Sequence, residues 1–427
     1  MKSRLNGLNQ NILRTLKNIG SFAQRRGLTA YAVGGFVRDA ILKRKNFDVD
    51  VVVEGDAVAF ARALAASLVK EQKLAIKIYK EFGTATFHYA NGFRVDFATA
   101  RREIYRRPGA LPEVSPGSIC DDLFRRDFTI NAMAMVINED RFGELVDIFD
   151  GLKNLQEGQI RILHNKSFLD DPTRILRAVR FERRFDFGME PETLTLLKSA
   201  IENDYVQYVT RPRYFTEFKK ILVEPRPAQA IKRLHQLHGL GFLKKKFRPN
   251  FAVLSLLERN IVQAKKKYLY KDFKDWWLIY LMGLLEGWRA SNIKSFTDPL
   301  NLTRAEKVSL LACPKSGAII KRLKDNLKPR QIYEALKYLE PAIIYFIRVR
   351  TSVNIVNRSV DNFWKNYSKV KLSVTGADLK RLGIPSGKAM GEILHELLLR
   401  KVDRKLNSRA QELKEIVKVK TMIQEKE

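Results

Sequence analysis

The segment 48–53 constrains the fold more than any other part of the chain, because acids and valines alternate at its start. Side chains of a β-strand point alternately to its two faces. Asp48 and Asp50 therefore leave one face, and the valines at 49, 51 and 53 leave the other. The pattern predicts a strand with one face in a hydrophobic core and two carboxylates on the opposite face.

The carboxylates of Asp48 and Asp50 indicate a metal site. Neighbouring carboxylates on a rigid strand repel each other unless a divalent cation lies between them, and ligation by oxygen alone suits Mg²⁺. The simpler alternative is a solvent-exposed strand end with two surface acids. A Gly-Gly turn upstream of the strand favours the metal site.

Gly34 and Gly35 form that turn, between a predicted strand and a predicted helix. Because they have no Cβ atoms, their backbone amides can approach a phosphate closely. Arg38, less than a turn into the helix, would add a charge-assisted contact to the same phosphates, or would pair with Asp39. A phosphate-binding turn followed by an acidic pair is the arrangement that two-metal nucleotidyl transfer needs.

A third carboxylate, Asp96, falls on another predicted strand between Val95 and Phe97. It is a candidate catalytic residue beside Asp48 and Asp50, because an acid from a neighbouring strand often completes a site of this kind. The alternative is an ordinary acid at the end of a strand. The residues alone favour neither interpretation.

The hydrophobic periodicity changes along the chain. Helix and strand patterns alternate up to about residue 160, and the pattern is helical nearly everywhere from about residue 161. The prolines and glycines of residues 106–117 predict a loop, for which mobility is plausible. The fold class is therefore α+β, with a mixed sheet in an N-terminal head and an all-helical remainder. The predicted helices of the head are 8–26, 36–42 and 57–69, and its predicted strands are 30–33, 48–53, 74–79, 84–89 and 93–97.

Charge and cysteine content restrict the possible partners and the cellular compartment. The 427 residues include 78 Lys and Arg against 47 Asp and Glu, a formal net charge of +31. A protein this basic neutralises phosphates and releases their counterions, which predicts a nucleic acid partner. The chain has two cysteines, no membrane-length apolar stretch and no apolar run after its basic amino terminus, so we expect a cytoplasmic protein that does not bind a membrane.

Several motifs resemble those of a known family. With the Asp48 and Asp50 pair, they are VGGFVRD at 33–39, RRDFTINA at 125–132, DDPTRILRAVRF at 170–181 and RYFTEFKKIL at 213–222. Together they resemble the successive motifs of the class II tRNA nucleotidyltransferases, the bacterial-type CCA-adding enzymes. The resemblance is strong from about residue 28 to 225 and weaker beyond.

The resemblance implies a domain organisation and a set of nucleotide contacts. It implies a polymerase-β-like nucleotidyltransferase head at 1–160, a helical neck with a base-reading pair at 161–225, a helical body at 226–360 and a helical tail that contacts tRNA at 361–427. It assigns binding of the nucleotide sugar and triphosphate to four residues of one block. These are Arg125, Arg126, Asp127 and Asn131.

Asp171 and Arg174 form the implied base-reading pair. An enzyme that adds specified nucleotides without a nucleic acid template must read the base itself. A carboxylate accepts a hydrogen bond from the exocyclic amine of cytosine and adenine, and a guanidinium donates to their ring nitrogen or carbonyl. Guanine and uracil present a carbonyl instead of the amine. Arg177, one turn further, would support the pair or meet a phosphate.

Asp171 also has a structural interpretation, since an Asp before Pro172 is a good helix N-cap. The family pattern has Glu-Asp where this chain has Asp170 and Asp171, so either acid would cap the helix. Arg213 and Glu217, four residues apart, are expected to form a surface salt bridge, and the resemblance implies that they support the neck helix. Both residues are assigned a structural role.

A variant tail motif extends from 375 to 391, with Ser386-Gly387-Lys388 where the family has Pro-Gly-Pro. The resemblance implies a helix-turn-helix that contacts the tRNA elbow, and a purely packing role is the alternative.

The expected activity is template-independent addition of CMP and AMP to the tRNA 3′ end from CTP and ATP, with Mg²⁺ and release of pyrophosphate. In the family that the chain resembles, a short or deleted flexible loop is associated with CC-only activity, and the corresponding segment 99–118 is full length here. This argues against a CC-only enzyme but leaves an A-only enzyme open. Poly(A) polymerase ranks third, because the segment 80–88 lacks an arginine-rich strand. The alternative from another class is a non-catalytic RNA-binding protein, which the intact acidic pair disfavours.

Overall fold

The computed structural model describes residues 9–68, 74–79, 81, 83–89 and 92–424. The chain forms two compact units. The first comprises Met1–Glu217 with Arg233–Phe242, and the second comprises Phe218–Lys232 with Leu243–Glu427. The four-part division expected from the sequence remains a prediction.

A mixed sheet lies at the centre of the first unit. Among the described residues it has seven strands in the order β3-β4-β5-β2-β1-β8-β9. The strands β2 and β5 are parallel, and the other neighbouring pairs are antiparallel. Short pairs β6-β7 and β10-β11 lie outside this sheet. The strands are β1 Thr29–Val33, β2 Asp48–Glu54, β3 Leu74–Tyr79, β4 Thr84–Tyr89, β5 Arg94–Thr99, β6 Arg101–Ile104, β7 Glu113–Pro116, β8 Ala134–Val136, β9 Leu145–Val146, β10 Gln159–Ile160 and β11 Gly188–Met189.

Helices account for most of the rest of the described chain. The three helices predicted in the head are confirmed within the described residues, although positions 8 and 69 lie outside them. The helices are α1 Gln10–Arg25, α2 Gly35–Ile41, α3 Ala57–Leu68, α4 Ile119–Phe124, α5 Gly151–Gln156, α6 Ser167–Asp170, α7 Thr173–Phe185, α8 Pro191–Glu202, α9 Arg211–Val223, α10 Pro227–Gln236, α11 Phe251–Lys265, α12 Trp276–Leu284, α13 Ala290–Thr297, α14 Arg304–Ala312, α15 Ser316–Leu323, α16 Pro329–Leu336, α17 Pro341–Val349, α18 Asn354–Asn362, α19 Gly376–Arg381, α20 Lys388–Val402 and α21 Arg409–Gln424.

Aromatic packing against one face of the sheet forms part of the core of the first unit. Phe60 of α3 lies between Phe22 of α1 and Phe97 of β5, with ring centroids 5.5 and 5.9 Å apart. Phe87 of β4 contacts Phe97 edge to face at 4.8 Å. Burial of such large side chains is the main favourable term in folding, so this layer fixes the strands that carry the acidic residues.

The loop predicted at 106–117 is partly wrong, because its second half forms strand β7 and pairs with β6. Arg106 donates to Glu113 across the turn. The Gly109 amide donates to the Leu169 carbonyl. Proline and glycine correctly indicated a turn. The pairing of β6 with β7, which makes the segment a hairpin, could not be predicted from the neighbouring residues alone.

The tail motif has a packing role in the second unit. Thr375 and Asp378 form a capping box at the start of α19. Leu379, Ile384 and Met390 are buried in one hydrophobic cluster with residues of α20 and α21. Contact with the tRNA elbow remains a prediction. Among the described residues, no helix is both long enough and apolar enough to cross a membrane.

The close contact between α1 and the end of β8 gives a stability prediction. A Cβ atom on Gly20 would lie 1.6 Å from the Ile137 carbonyl oxygen. We expect Gly20→Ala to lower the free energy of unfolding by at least about 2 kcal/mol, because backbone must move to accept the methyl group. Urea denaturation followed by circular dichroism measures the change. Gly188→Ala is the control, since a Cβ there meets no atom within 4 Å, and an equal loss in both variants would contradict the prediction.

Candidate active site

The start of β2 carries the acidic pair. Asp48 and Asp50 are exposed and Val49 between them is buried, so the predicted two-faced strand is confirmed. Val52 shares the acidic face but is buried in a cluster with Leu123 of α4. The covered part of this face therefore ends at Val52, and the two carboxylates emerge beyond it.

Asp96 lies on β5 directly beside Asp50 in the parallel register, which confirms its predicted strand. Its Oδ1 accepts a hydrogen bond from Thr86 Oγ1 at 2.6 Å, and its Oδ2 lies 3.0 Å from Arg94 Nη2. The Arg94 Nε atom is buried without a hydrogen-bond partner and lies 3.6 Å from Asp48 Oδ1. Arg94 thus binds Asp96 firmly and contacts Asp48 only loosely.

The pKa of Asp50 is raised. Desolvation of its carboxyl by the surrounding protein is the largest cause, and the negative charges of Asp96 and Asp48 act in the same direction. Arg126 and Arg94 oppose the shift. A carboxylate repelled by two others is stabilised when a divalent cation binds beside it.

Asp48 and Asp50 offer an all-oxygen donor set, which fits a divalent cation. Within the described ranges no group of three His, Cys, Asp or Glu side chains is placed to hold a metal ion. This agrees with the engagement of Asp96 by Thr86 and Arg94. Mg²⁺ commonly binds one or two protein carboxylates and completes its coordination with water and substrate phosphates. The donor set therefore suits an ion that arrives with a phosphate ligand.

A cavity of about 450 Å³ opens beside Asp50. Its described lining includes seven arginines against four acidic residues, which makes it a strong anion site. Gly35 and Asn131, two of the predicted nucleotide-binding residues, also line it. The arginines are Arg38, Arg125, Arg126, Arg174, Arg177, Arg180 and Arg184, and the acids are Asp50, Glu103, Asp127 and Asp171.

Asp122, which sequence reasoning missed, positions the two arginines of the RRD motif. Its side chain is fully buried, and it accepts from Arg125 Nη2 at 2.6 Å and from Arg126 Nη2 at 2.8 Å. Asp122 precedes Arg125 by three residues and Arg126 by four. In a helical segment, side chains at these spacings are neighbours. Gly34 makes room for Arg126, because a Cβ there would lie 2.4 Å from Arg126 Nη1. With φ at +66°, Gly34 also adopts a backbone conformation that favours glycine.

Arg38, which follows Gly34 in the VGGFVRD motif, is buried. It donates to Asp39 Oδ1 and to Asn131 Oδ1. The pair with Asp39, which the sequence offered as an alternative to a phosphate contact, is therefore present, and Arg38 also lines the cavity. Burial lowers the pKa of Arg38, and Asp39 opposes that shift. The guanidinium packs over the rings of Phe181 and Phe185 of α7 at 5.5 and 4.6 Å.

Asp127 joins the RRD motif to α7. Its Oδ2 accepts from Arg177 Nε at 2.8 Å, and its Oδ1 accepts from Asn131 Nδ2 at 2.9 Å. Burial alone would raise the pKa of Asp127, but the charge of Arg177, the Asn131 hydrogen bond and the charge of Arg174 lower it to about 2. The carboxylate stays ionised and is the main counter-charge of Arg177, whose own pKa is raised chiefly by Asp127.

Asp171 lines the cavity and also holds the first turn of α7. Its Oδ1 accepts from the Thr173 amide at 3.1 Å and from Thr173 Oγ1 at 2.7 Å, and it lies 3.0 Å from Arg213 Nη2. All these contacts fall on Oδ1. The Oδ2 atom takes no part in these contacts. Asp170 lies elsewhere, 3.9 Å from His164 Nε2.

Arg174 is buried in the cavity wall. Its Nη1 donates to Ser167 Oγ at 2.6 Å and its Nη2 donates to the Arg125 carbonyl at 2.8 Å. These bonds fix the guanidinium between the RRD motif and α6. The predicted pair of Asp171 and Arg174 therefore lines one cavity with the predicted nucleotide-binding arginines.

Arg213 and Glu217 do not form the expected mutual salt bridge among the contacts described. Arg213 donates to the Gly109 carbonyl at 2.7 Å and pairs with Asp171. Glu217 lies 3.6 Å from Arg177 Nη1. Both residues of α9 therefore support cavity residues, which agrees with a structural role.

Five further cavity residues escaped sequence reasoning, namely Glu103, Tyr105, Arg180, Phe181 and Arg184. Arg180 and Arg184 continue the face of Arg177 at helical spacing, a signal that was present in the motif. Glu103 accepts from Tyr105 Oη at 3.0 Å and lies 3.3 Å from Arg125 Nη1. Glu103 and Tyr105 follow β5 in the chain, and the sequence around them gave no indication of the cavity.

Comparison with known families gives a consistent result. The family model described as "Poly A polymerase head domain" matches residues 30–161, and that described as "Probable RNA and SrmB- binding site of polymerase A" matches residues 186–248. The fold and the cavity define a nucleotidyltransferase head.

Relatives extend the similarity along the chain. The A-adding tRNA nucleotidyltransferase of Geobacter sulfurreducens is 33% identical over 414 residues, which are 95% of this chain and 46% of that protein. That of Halalkalibacterium halodurans is 31% identical over 392 residues, 90% of this chain and 87% of that protein. The Thermotoga maritima CCA-adding enzyme complexed with tRNA_CCA has a TM-score of 0.72 at 32% identity and 97% coverage of both chains.

The chain belongs to the bacterial-type tRNA nucleotidyltransferase family, as its motifs implied. It spans about half the length of the Geobacter relative and most of the length of the Halalkalibacterium relative. Nucleotidyltransferases of this kind use divalent metal ions.

The position of Arg94 between two acids gives a binding prediction. Arg94→Gln should tighten Mn²⁺ binding by roughly two- to fivefold, because a competing positive charge leaves the acidic cluster. Electron paramagnetic resonance of free Mn²⁺ measures the affinity. Arg102→Gln, which removes an exposed arginine paired with Asp121, should leave it unchanged. Weaker binding in Arg94→Gln would mean that Arg94 positions the carboxylates for the ion.

The lowered pKa of Asp127 gives a pH prediction. A depressed carboxyl pKa stabilises the folded protein above the unfolded value of 3.8 and loses this effect as pH falls towards about 2. Between about pH 5 and 2 the wild type should lose about 2 kcal/mol more stability than Asp127→Asn, which cannot titrate. Urea denaturation at several pH values measures both slopes, and parallel slopes would contradict the assigned interaction.

Proposed function

We propose that this protein adds CMP and AMP to the 3′ end of tRNA without a nucleic acid template, using CTP and ATP and releasing pyrophosphate. The observation that carries the proposal is a single cavity in which seven arginines, the acidic start of β2 and the pair of Asp171 and Arg174 meet. This reaction requires three features of the enzyme: a site that binds a triphosphate, a metal-binding carboxylate and a pair of residues that reads the base. tRNA as partner and a cytoplasmic location belong to the same proposal.

The arginines bind the substrate in this proposal. Arg38, Arg125 and Arg126 are fixed by buried hydrogen bonds to Asp39, Asn131 and Asp122. Donors held in place before the reaction stabilise phosphate charge with little reorganisation. Asp127 and Asn131 hold Arg177 and Arg38 respectively, and Gly35 lines the phosphate end of the cavity.

Asp48 and Asp50 would hold Mg²⁺, and Asp96 would contribute from the neighbouring strand by holding Arg94. A bound Mg²⁺ lowers the pKa of the attacking hydroxyl and neutralises charge on the phosphates. The raised pKa of Asp50, caused first by desolvation and then by neighbouring acids and opposed by Arg126, supports a cation at this position.

Base selection would rest on Asp171 and Arg174. Oδ1 of Asp171 is engaged by Thr173 and Arg213, which supports Oδ2 as the acceptor for an exocyclic amine. Arg174 would donate to the ring nitrogen or carbonyl of cytosine and adenine. Guanine and uracil would place a carbonyl against the carboxylate.

A-only addition is the second candidate, because two of the relatives are named A-adding enzymes. The two activities differ in whether CTP is a substrate. Poly(A) polymerase and a non-catalytic RNA-binding protein rank below both.

Extension assays on defined tRNA ends test these candidates. With tRNA that ends at the discriminator base, a CCA-adding enzyme incorporates labelled CTP alone, and ATP after it. We expect Asp48→Asn to lower the rate at least about a thousandfold, because a metal-binding carboxylate is lost. No extension with CTP but addition of A to tRNA ending in CC would identify an A-only enzyme. A long A tail on generic RNA would identify a poly(A) polymerase, and full activity of Asp48→Asn would reject the mechanism.

A further inference from the structure

A second cavity, of about 470 Å³, adjoins the arginine-lined cavity. Its remaining wall comes from the end of α4 and from the segment that precedes α7, namely Phe124, His164, Asn165, Lys166 and Asp170. The two cavities have walls in common, so a molecule in one touches the residues that bind a molecule in the other. The shared residues are Glu103, Tyr105, Arg125 and Arg174.

Aromatic rings form one wall of the second cavity. Phe124 is 49% exposed and lines the cavity, so its ring is accessible to a ligand there. Its ring lies 5.2 Å from that of His164 with a 31° tilt, and 6.0 Å from that of Phe149. Burial and then the charge of Arg174 lower the pKa of His164, so its ring is neutral at neutral pH. Neutral, flat and partly exposed rings are suited to stacking with a nucleobase.

Charge distinguishes the second cavity from the first. Its described lining has three cations, Arg125, Lys166 and Arg174, against Glu103 and Asp170. The first cavity has seven arginines against four acids. A nucleoside triphosphate carries about four negative charges and fits the first cavity. The nearly balanced second cavity fits one base with one phosphodiester.

We propose that the cavity beside Phe124 and His164 binds the 3′-terminal nucleobase of the RNA acceptor, next to the incoming nucleotide. The proposal rests on the proposed function, which requires an RNA end beside the triphosphate. Phe124 and His164 stack with the base, and Lys166 meets the adjacent phosphate. These residues position the acceptor and take no part in the chemistry.

The test uses the full chain and an acceptor RNA with 2-aminopurine as its last nucleotide. Stacking quenches 2-aminopurine fluorescence, while anisotropy of a 5′ dye reports RNA binding separately. Phe124→Ala and His164→Ala should lose the quench and raise KM for RNA about tenfold, with KM for ATP unchanged. Phe124→Tyr should restore both. Tyr79→Ala, which removes an exposed aromatic on the edge strand β3, should behave as the wild type.

An acceptor with an abasic last nucleotide completes the comparison. It should bind the wild type as weakly as the normal acceptor binds Phe124→Ala, and it should bind that variant no more weakly. A quench that survives in the alanine variants, or an effect on KM for ATP alone, would overturn the proposed subsite. If the wild type extends no RNA, the proposed function fails, and the quench of the bound RNA end still decides whether the cavity holds a terminal base.

Discussion

The buried carboxylate of Asp127 is the interaction on which the cavity depends. It accepts hydrogen bonds from Arg177 of α7 and from Asn131, and Asn131 in turn accepts one from Arg38 of α2. One acid thus links three segments that lie far apart in the sequence. Loss of one partner in such a buried pair leaves the other charge unpaired, which costs about 3 to 5 kcal/mol. The link ties α7 to the RRD motif, and Arg174 of the same helix donates to the Arg125 carbonyl.

Seven guanidinium groups in one cavity wall would repel each other without buried acids. Asp122 lies against Arg125 and Arg126 and is fully buried, and Glu217 lies near Arg177. These acids hold the arginines in place before any substrate binds. The cost of assembling positive charge is therefore met during folding, and the triphosphate of the proposed function would find donors that need little rearrangement. The overall charge of +31 favours a polyanion as partner, whereas the buried Asp122 fixes two particular arginines in the wall of this cavity.

Local patterns predicted the helices α1 to α3 and the strands β1 to β5, since alternation and helical periodicity depend only on neighbouring residues, but they did not predict the short strands β8 and β9 of the same sheet. The strands β3 and β4 have the predicted bounds, and the face of Asp48 and Asp50 is as expected. Long-range partners were not predictable. The hairpin of β6 and β7 depends on pairing across a turn, and Arg213 takes partners from two other segments instead of Glu217. Asp122 was missed because it precedes the recognised motif.

In the proposed function, Asp171 has a structural role and a base-reading role that reinforce each other. The sequence offered two interpretations of this carboxylate, a helix N-cap and a base-reading acid. In the structure Thr173 and Arg213 both contact Oδ1, so the bonds that hold the start of α7 also fix the orientation of the carboxyl plane. A free carboxylate would rotate and accept from many donors, whereas a fixed one presents a single oxygen to a ligand in the cavity. In the proposed function, discrimination between an amine and a carbonyl on the base requires that fixed geometry, and the contacts of Oδ1 with Thr173 and Arg213 would supply it.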